Sequence, residues 1–106
     1  MIATHHVEGF DWDIHNADKI WKKHEVPTGE AEEAFFDGGL KVLPDVRHSR
    51  GEGRYYALGK SRLGRMLFVC FTLRKDKIRV ISARDMSHKE RRHYHEKVQK
   101  DTNVSE

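Results

Sequence analysis

The chain has 106 residues, of which 37% are hydrophobic and 35% are charged, and this length leaves room for one domain with a modest core. Its five Phe, three Tyr and two Trp residues argue against a disordered chain, and no apolar run reaches the roughly 18 residues of a membrane-spanning helix. Cys70, the single cysteine, lies in an apolar run and is expected to be a buried core residue. The lack of a possible disulfide and of an apolar N-terminal segment fits a cytoplasmic protein.

Charge is distributed unevenly along the chain. Residues 1–45 carry four basic and ten acidic side chains, a net charge of −6, whereas residues 46–106 carry sixteen basic and seven acidic side chains, a net charge of +9. Such asymmetry suggests a face that binds a polyanion, although an ordinary solvated surface explains the charge alone equally well.

The N-terminal part predicts one short strand followed by two helices. Residues 10–12 alternate between apolar and polar side chains, as strands do. A first helix begins after Asp13, whose carboxylate can accept hydrogen bonds from the free amides of the first turn, and ends near His24. Thr28 caps a second helix that ends at Phe36. The apolar faces of these helices are expected to be formed by Ala17, Ile20, Trp21 and His24, and by Ala31, Ala34 and Phe35.

Four strands are predicted next, over residues 40–43, 54–60, 65–73 and 78–84. Short turns join the last three, which makes them an antiparallel meander. The strand over residues 65–73 is apolar on both faces, so it is expected to be central and covered on both sides. Ser87 and Glu90 form a capping box that opens the last helix, in which Tyr94 and Val98 face the core. The predicted order, with two helices near the N-terminus, then an antiparallel sheet and then a last helix, indicates an α+β fold.

The sequence lacks the common signatures of metal and nucleotide chemistry. His88, His93 and His95 do not have the spacing of zinc ligands. The serines lack a Gly-x-Ser-x-Gly context, and no Gly-x-x-x-x-Gly-Lys loop is present. We therefore expect no metal site and no cofactor.

Basic side chains and a few groups that can transfer protons remain as candidates for chemistry. They are Lys22, Lys23, His24, Glu52, Arg54, Arg65, Arg79, Arg84, Arg91, Arg92 and Tyr94. Cleaving RNA requires that the 2′-hydroxyl lose a proton, that the charge on the phosphorane be stabilised and that the 5′-oxygen gain a proton. Histidine and glutamate can transfer the protons, and arginine can bind the phosphate with two parallel hydrogen bonds.

Each of these residues also has a structural interpretation. His24 lies on an apolar stripe and is as well explained as a hydrogen-bonded core histidine. Arg84 with Asp85, and Glu90 with Arg91, could form a cluster of structural salt bridges. Tyr94 is more often a core residue than a catalytic one.

An ordered set of short motifs nevertheless resembles one family. The motifs are Phe10-x-Trp12-Asp13-x-x-x-Ala17, Lys23-His24-x-Val26, Glu33-Ala34 with Phe36-Asp37, Arg54, Gly59, Ser61 with Gly64-Arg65, the run from Ile78 to Arg84, and Glu90-Arg91-Arg92-x-Tyr94. Together they resemble the BrnT toxins, also known as DUF497, over about residues 10–96. The most specific part is Arg79-x-Ile81-Ser82-Ala83-Arg84 followed by the Glu-Arg-x-x-Tyr helix.

The resemblance implies a single α+β domain with a RelE-like ribonuclease fold, in which an antiparallel sheet is accompanied by two N-terminal helices and a C-terminal helix. It implies a toxin that cleaves RNA and blocks translation. It also implies neutralisation by a BrnA-type antitoxin with a ribbon-helix-helix region, in a complex expected to be a heterotetramer that reaches operator DNA only through the antitoxin. Residues that match the family pattern are His24, Arg54, Arg79, Arg84, Glu90 and Tyr94.

The leading hypothesis is therefore a metal-independent endoribonuclease toxin that leaves a 2′,3′-cyclic phosphate. Its expected catalytic residues are His24, Glu52, Arg54, Arg79, Arg84 and Tyr94. Its expected RNA-binding residues are Lys22, Lys23, Arg65, Arg91 and Arg92. The alternatives are a basic binding module without chemistry, and a degenerate toxin that serves as antitoxin partner and co-repressor.

Overall fold

The computed structural model describes residues 7–48 and 51–104. Within these residues the helices are α1 (Ile14–His24), α2 (Thr28–Ala34) and α3 (His88–Val104), and the strands are β1 (Lys41–Pro44), β2 (Arg54–Lys60), β3 (Met66–Arg74) and β4 (Lys77–Asp85). The strands form one antiparallel sheet in the order β1-β2-β3-β4. The predicted α+β architecture and the meander are confirmed. No helix in the described part of the chain is both long and apolar enough to cross a membrane.

The segment before α1 is not the strand that its alternation predicts. Phe10 forms only an isolated parallel bridge with Ile78. The amide of Ile78 donates to the carbonyl of Gly9 at 2.9 Å, and the amide of Asp11 donates to the carbonyl of Ile78 at 2.8 Å. This segment therefore covers part of the exposed edge of β4 before the chain turns into α1.

Helix α1 begins as predicted, and Ile20 of its expected apolar face is buried, but Trp21 is not. The Asp13 carboxylate accepts hydrogen bonds from the amides of His15 and Asn16, and the Asn16 side chain accepts one from the Asp13 amide. Asn16 and Ile20 are the buried residues of α1, whereas Trp21 is 52% exposed. The side-chain Nδ2 of Asn16 donates to the carbonyls of Asp11 and Val80, so a polar side chain occupies the position next to the sheet.

Helix α2 is shorter than predicted and begins differently. Pro27 is its N-cap, and no side chain caps it, so the expected capping role of Thr28 is wrong. The helix ends at Ala34, and Phe36 is 78% exposed. Ala31 and Ala34 are buried as predicted.

The main core lies between one face of the sheet and the helices α1 and α2. Its buried residues are Ile20, Val26, Ala31, Ala34, Ala57, Leu67, Val69, Phe71, Ile78, Val80 and Ala83. Among the described residues, the opposite face of the sheet, called the open face below, is covered at the end where α3 packs. There Leu58, Met86 and Tyr94 form a smaller core with Met66 and Phe68. β3 is central as predicted, but its second face is only partly covered.

Helix α3 is attached by its first two turns. The capping box is confirmed, because the Glu90 amide donates to Ser87 Oγ at 3.2 Å and the Ser87 amide donates to Glu90 Oε1 at 2.8 Å. Tyr94 is 4% exposed, and its hydroxyl donates to Asp37 Oδ2 at 2.6 Å. The side chain of Val98, also predicted to face the core, lies outside the described residues.

Candidate functional site

Three of the predicted arginines project from the open face. Across the sheet, Arg54 of β2 pairs with Thr72 of β3, and Thr72 pairs with Arg79 of β4. Phe68 of β3, four residues before Thr72, pairs with Arg84 of β4. Paired residues of an antiparallel sheet project from the same side, and side chains two or four positions apart share a face. Arg54, Arg79 and Arg84 therefore project from the same side of the sheet.

A β-bulge in β4 makes this arrangement possible. Arg79 and Arg84 are an odd number of residues apart, so a regular strand would place them on opposite faces. Cys70 pairs with Ser82, whereas its neighbour Phe71 pairs with Val80, which leaves Ile81 as the extra residue of the strand. The bulge restores Arg79 to the face that carries Arg84.

Each end of this arginine set is held by carboxylates. Arg79 Nη2 lies 2.6 Å from Asp13 Oδ2, and Arg79 Nη1 lies 3.5 Å from Asp11 Oδ1. The hydrogen bond from Arg79 lowers the pKa of Asp13 to about 2. Arg84 donates to both oxygens of Glu90 at 2.9 Å. Desolvation alone would raise the pKa of Glu90, but the hydrogen bonds from Arg84 and from the Ser87 amide lower it.

Glu52 lies beside the Arg54 end of the set. It accepts a hydrogen bond from Arg74 Nε at 2.9 Å, and this bond lowers the pKa of Glu52, with smaller electrostatic contributions from Arg54 and Arg79. The loop that carries Glu52 is fixed by the Thr72 hydroxyl, which donates to the carbonyl of Gly53. Glu52 is therefore an ionised carboxylate next to two of the three arginines at neutral pH.

An aromatic stack continues the open face toward α3. The rings of Tyr56 and Phe68 are stacked with centroids 5.2 Å apart and an interplanar angle of 27°. The guanidinium carbon of Arg84 lies 4.1 Å from the centroid of the Phe68 ring, within cation–π distance. Neither Tyr56 nor Phe68 was identified from the sequence. The alternation of β2 contained the signal, since it places Tyr56 on the face of Arg54.

A groove of about 470 Å³ runs between this stack and α3. Its apolar lining consists of Leu43, Tyr56, Leu58 and Phe68. Its polar lining consists of Asp45, Lys89, Glu90 and His93. His93 Nδ1 lies 2.9 Å from Lys41 Nζ on β1. The groove thus joins an aromatic floor to a polar rim.

Cys70 lies on the open face between the arginines and the stack, and it is only half-buried rather than the core residue that its apolar run predicts. The reason is that β3 exposes part of its second face. Burial raises the pKa of the Cys70 thiol, with a smaller contribution from Asp45. A thiol of raised pKa is a weak nucleophile at neutral pH.

A second group of predicted residues lies away from the open face. Lys22, Lys23 and His24 are exposed at the end of α1, which packs on the other side of the sheet, and Lys22 Nζ lies 3.0 Å from Asp18 Oδ2. Arg65 joins this region to the sheet. It donates to Asp85 at 2.7 Å, to Glu30 at 3.1 Å and to the carbonyl of His24 at 3.0 Å. Arg84 Nη1 donates to the carbonyl of Asp85 at 3.0 Å, so Arg65 and Arg84 both contact Asp85. His24, at the end of α1 opposite Asp13, is not brought together with Arg54 and Arg79.

The remaining predicted residues lie on α3. Arg91 and Arg92 are exposed. Burial, together with the hydrogen bond to Asp37, raises the pKa of Tyr94 to about 12. Asp37 was part of a family motif but was not predicted as a site residue, and its carboxylate also accepts from the amides of Lys60 and Gly39. In the described part of the chain, no three His, Cys, Asp or Glu side chains come together in a way that could hold a metal ion.

Comparison with known proteins points to one family. Residues 12–90 match the family model described as the ribonuclease toxin, BrnT, of type II toxin–antitoxin systems. The crystal structure of the ribonuclease toxin BrnT from Brucella abortus is similar, with a TM-score of 0.56 and 22% sequence identity over 76% of this chain and 97% of that chain. No curated protein sequence gives a significant match. The structural likeness shows a common fold. The residues matched by the family model, 12–90, include the open-face residues Arg54, Arg79 and Arg84.

Proposed function

Since the chain belongs to the BrnT family of ribonuclease toxins of type II toxin–antitoxin systems, we propose that it is an endoribonuclease whose active site is the open face of the sheet. One observation carries the proposal. The bulge in β4 places Arg54, Arg79 and Arg84 on one face, next to the ionised carboxylate of Glu52. Strands two apart in a sheet are separated by about 10 Å, so the long side chains of Arg54 and Arg79 can reach a single phosphate.

The arginines stabilise charge in the proposed reaction. The 2′-oxygen attacks the adjacent phosphorus, the bond from phosphorus to the 5′-oxygen breaks, and the leaving 5′-oxygen takes a proton from water. The products are a 2′,3′-cyclic phosphate and a 5′-hydroxyl. Negative charge builds up on the oxygens of the phosphorane between these events. Fixed guanidinium groups stabilise that charge, and the carboxylates that hold Arg79 and Arg84 keep both groups oriented before RNA binds.

Glu52 takes the proton of the 2′-hydroxyl in this mechanism. Of the two groups that the sequence suggests for proton transfer, Glu52 lies beside the arginines, whereas His24 lies at the end of α1. A lowered pKa makes Glu52 a weak base but ensures that it is ionised and can accept a proton. Tyr94 stays a neutral phenol bound to Asp37, and it supports α3 rather than contacting the reacting atoms.

A type II toxin has a protein antitoxin as its partner. We propose that this partner is of the BrnA type, with a ribbon-helix-helix region, and that the complex is a heterotetramer that reaches operator DNA through the antitoxin alone. We also propose that the free toxin acts in the cytoplasm and that RNA cleavage blocks translation. Co-expression with the neighbouring reading frame, followed by measurement of the mass of the purified complex, tests the partner and the stoichiometry.

Cleavage in the presence of a chelator tests the proposed activity. Antitoxin-free protein is incubated with a single-stranded RNA labelled at its 5′ end, in excess EDTA, and the ends of the products are identified by phosphatase and kinase treatment. We expect cleavage that leaves 2′,3′-cyclic phosphate ends, and we expect Arg79→Ala,Arg84→Ala to lose it while keeping a folded circular dichroism spectrum. Arg62→Ala, at an exposed turn, is the matched control. Equal behaviour of wild type and the double variant contradicts the proposal, and salt-sensitive binding without cleavage indicates a binding module.

A further inference from the structure

The groove between α3 and the open face has features that phosphate binding does not require. A phosphate needs positive charge, which Arg54, Arg79 and Arg84 supply. The groove instead has a floor of aromatic and aliphatic side chains, Leu43, Tyr56, Leu58 and Phe68, and a rim with hydrogen-bonding groups. Such a combination of an apolar floor with a few polar groups is typical of sites for small ligands, and the volume of about 470 Å³ is in the usual range for them.

Arg84 connects the groove to the phosphate-binding arginines. Its guanidinium lies over the ring of Phe68, and this ring stacks on Tyr56. The guanidinium and the two rings therefore form one continuous stack. In a single-stranded nucleic acid the base lies next to its own phosphate, and proteins that bind such strands combine a basic track with aromatic rings on which the bases stack. The open face has both parts side by side.

A second groove, near Arg79, lacks the aromatic part. It has a volume of about 510 Å³, lies at the turn between β3 and β4, and is lined by Asp11, Arg74, Lys75 and Lys77. Its lining is charged and contains no ring. This groove can follow a sugar–phosphate chain, but it offers no surface on which a base can stack.

From this arrangement we propose that the groove under α3 binds one unpaired nucleobase of the RNA, which stacks on the series formed by Tyr56, Phe68 and Arg84. The phosphate next to this base binds to the arginines of the open face. The inference rests on the proposed function, because it takes RNA as the substrate. It adds that the substrate must be single-stranded at this position, since a base within a duplex is already stacked and paired. The hydrogen-bonding groups of Lys89 and His93 at the rim lie where they can contact the edge of the base.

Binding of an oligonucleotide that cannot be cleaved tests the inference apart from catalysis. A fluorescent 2′-O-methyl RNA of eight nucleotides lacks the attacking hydroxyl, and a second oligonucleotide carries the same backbone with abasic sites in place of its bases. We expect wild type to bind the base-containing strand at least about tenfold more tightly than the abasic strand in fluorescence anisotropy. We also expect weak binding of the same strand annealed to its complement. Equal affinity for the base-containing and abasic strands, or for single strand and duplex, overturns the inference.

Variants of Tyr56 test whether the aromatic stack is the part of the groove that binds the base. Tyr56→Ala is expected to weaken binding of the base-containing strand by about tenfold and to leave binding of the abasic strand unchanged, while Tyr56→Phe keeps the ring and restores most of the affinity. Trp21→Ala, which removes an exposed aromatic ring from α1, is the matched control and should bind as wild type does. If Tyr56→Ala weakens both strands equally, the base does not stack there.

The two proposals can fail separately. If binding depends on the bases but ordinary RNA is not cleaved, base binding in the groove is supported and the proposed endoribonuclease activity is contradicted. If RNA is cleaved but binding depends neither on the bases nor on Tyr56, the endoribonuclease activity is supported and base binding in the groove is contradicted.

Discussion

The carboxylates that hold two of the open-face arginines each have a second role. Asp13 caps α1 and also holds Arg79, and Glu90 completes the capping box of α3 and also holds Arg84. Ion pairs that are partly exposed contribute little to stability, so a phosphate can replace a carboxylate at such an arginine with little cost to the fold. The carboxylates thus orient the guanidinium groups and can be displaced by substrate.

The pH dependence of stability tests the double role of Asp13. Its pKa is about 2 in the folded protein, below the ordinary value of 3.8, so the ionised carboxylate stabilises the fold above about pH 4. This contribution is lost as the pH falls through 2. We therefore expect Asp13→Asn, which keeps a capping oxygen, to be less stable than wild type at pH 7 in urea unfolding, with a difference that shrinks between pH 4 and pH 2. A difference that stays constant over this range contradicts the role. Asp18→Asn, on the exposed side of α1, is the control.

The hydrogen bond between Tyr94 and Asp37 gives a prediction at alkaline pH. The pKa of Tyr94 is raised from 10 to about 12, so its stabilising effect is fully present below pH 10 and is lost as the pH rises through 12. We expect Tyr94→Phe to lower the free energy of unfolding by about 1–2 kcal/mol at pH 7, measured by circular dichroism in urea, and by less at pH 11. Tyr56→Phe serves as a control for removal of a phenol, and an equal loss in both variants contradicts the assignment.

At the scale of elements, the sequence predicts those features that depend on local chemistry. Asp13 begins α1 because a cap satisfies amides within its own turn, and the Ser87–Glu90 box begins α3 for the same reason. The three-stranded meander follows from short turns. Burial of Asn16 and exposure of Trp21 do not follow in this way, because they depend on which carbonyls of the sheet lie opposite α1.

The bulge in β4 is the element-scale feature on which the site depends, and strand alternation cannot predict it. Alternation alone places Arg79 and Arg84 on opposite faces, so the sequence suggested that they act together without showing how they could. Their co-location arises from the register of β4 against β3, which is fixed by buried pairs such as Phe71 with Val80. Register of this kind is a property of two strands and their core, not of either segment.

The contact between α2 and β2 can be tested with a glycine. A Cβ atom on Gly59 would lie 2.3 Å from the carbonyl oxygen of Ala34, a backbone atom that cannot move alone. We expect Gly59→Ala to lower the free energy of unfolding by about 1–3 kcal/mol in urea denaturation, since α2 must shift away from the sheet. Gly38→Ala is the matched control, because its Cβ meets no atom within 4 Å and its backbone needs no glycine conformation. Equal stability of the two variants contradicts this close packing.

For the whole molecule, the fold separates stability from substrate binding. The helices α1 and α2 bury one face of the sheet, and Arg65 links their ends to the sheet through Glu30, Asp85 and the carbonyl of His24. The other face is left open for the arginines and the aromatic stack. The sequence showed a basic second half but not this division, so it did not show that Arg65 binds the ends of the helices whereas Arg54 and Arg79 project from the other face.

Single-turnover cleavage by two arginine variants tests the claim that RNA is cleaved on the open face. Arg54 lies in the cross-strand row with Thr72 and Arg79, whereas Arg62 lies in the exposed turn between β2 and β3. Each variant is first shown to unfold at the same temperature as wild type. We expect Arg54→Ala to cleave a defined single-stranded RNA about 100-fold more slowly than wild type, as when one fixed donor to a developing charge is removed, and Arg62→Ala to cleave at the wild-type rate. An unchanged rate for Arg54→Ala, or an equal loss in both variants, would contradict the claim.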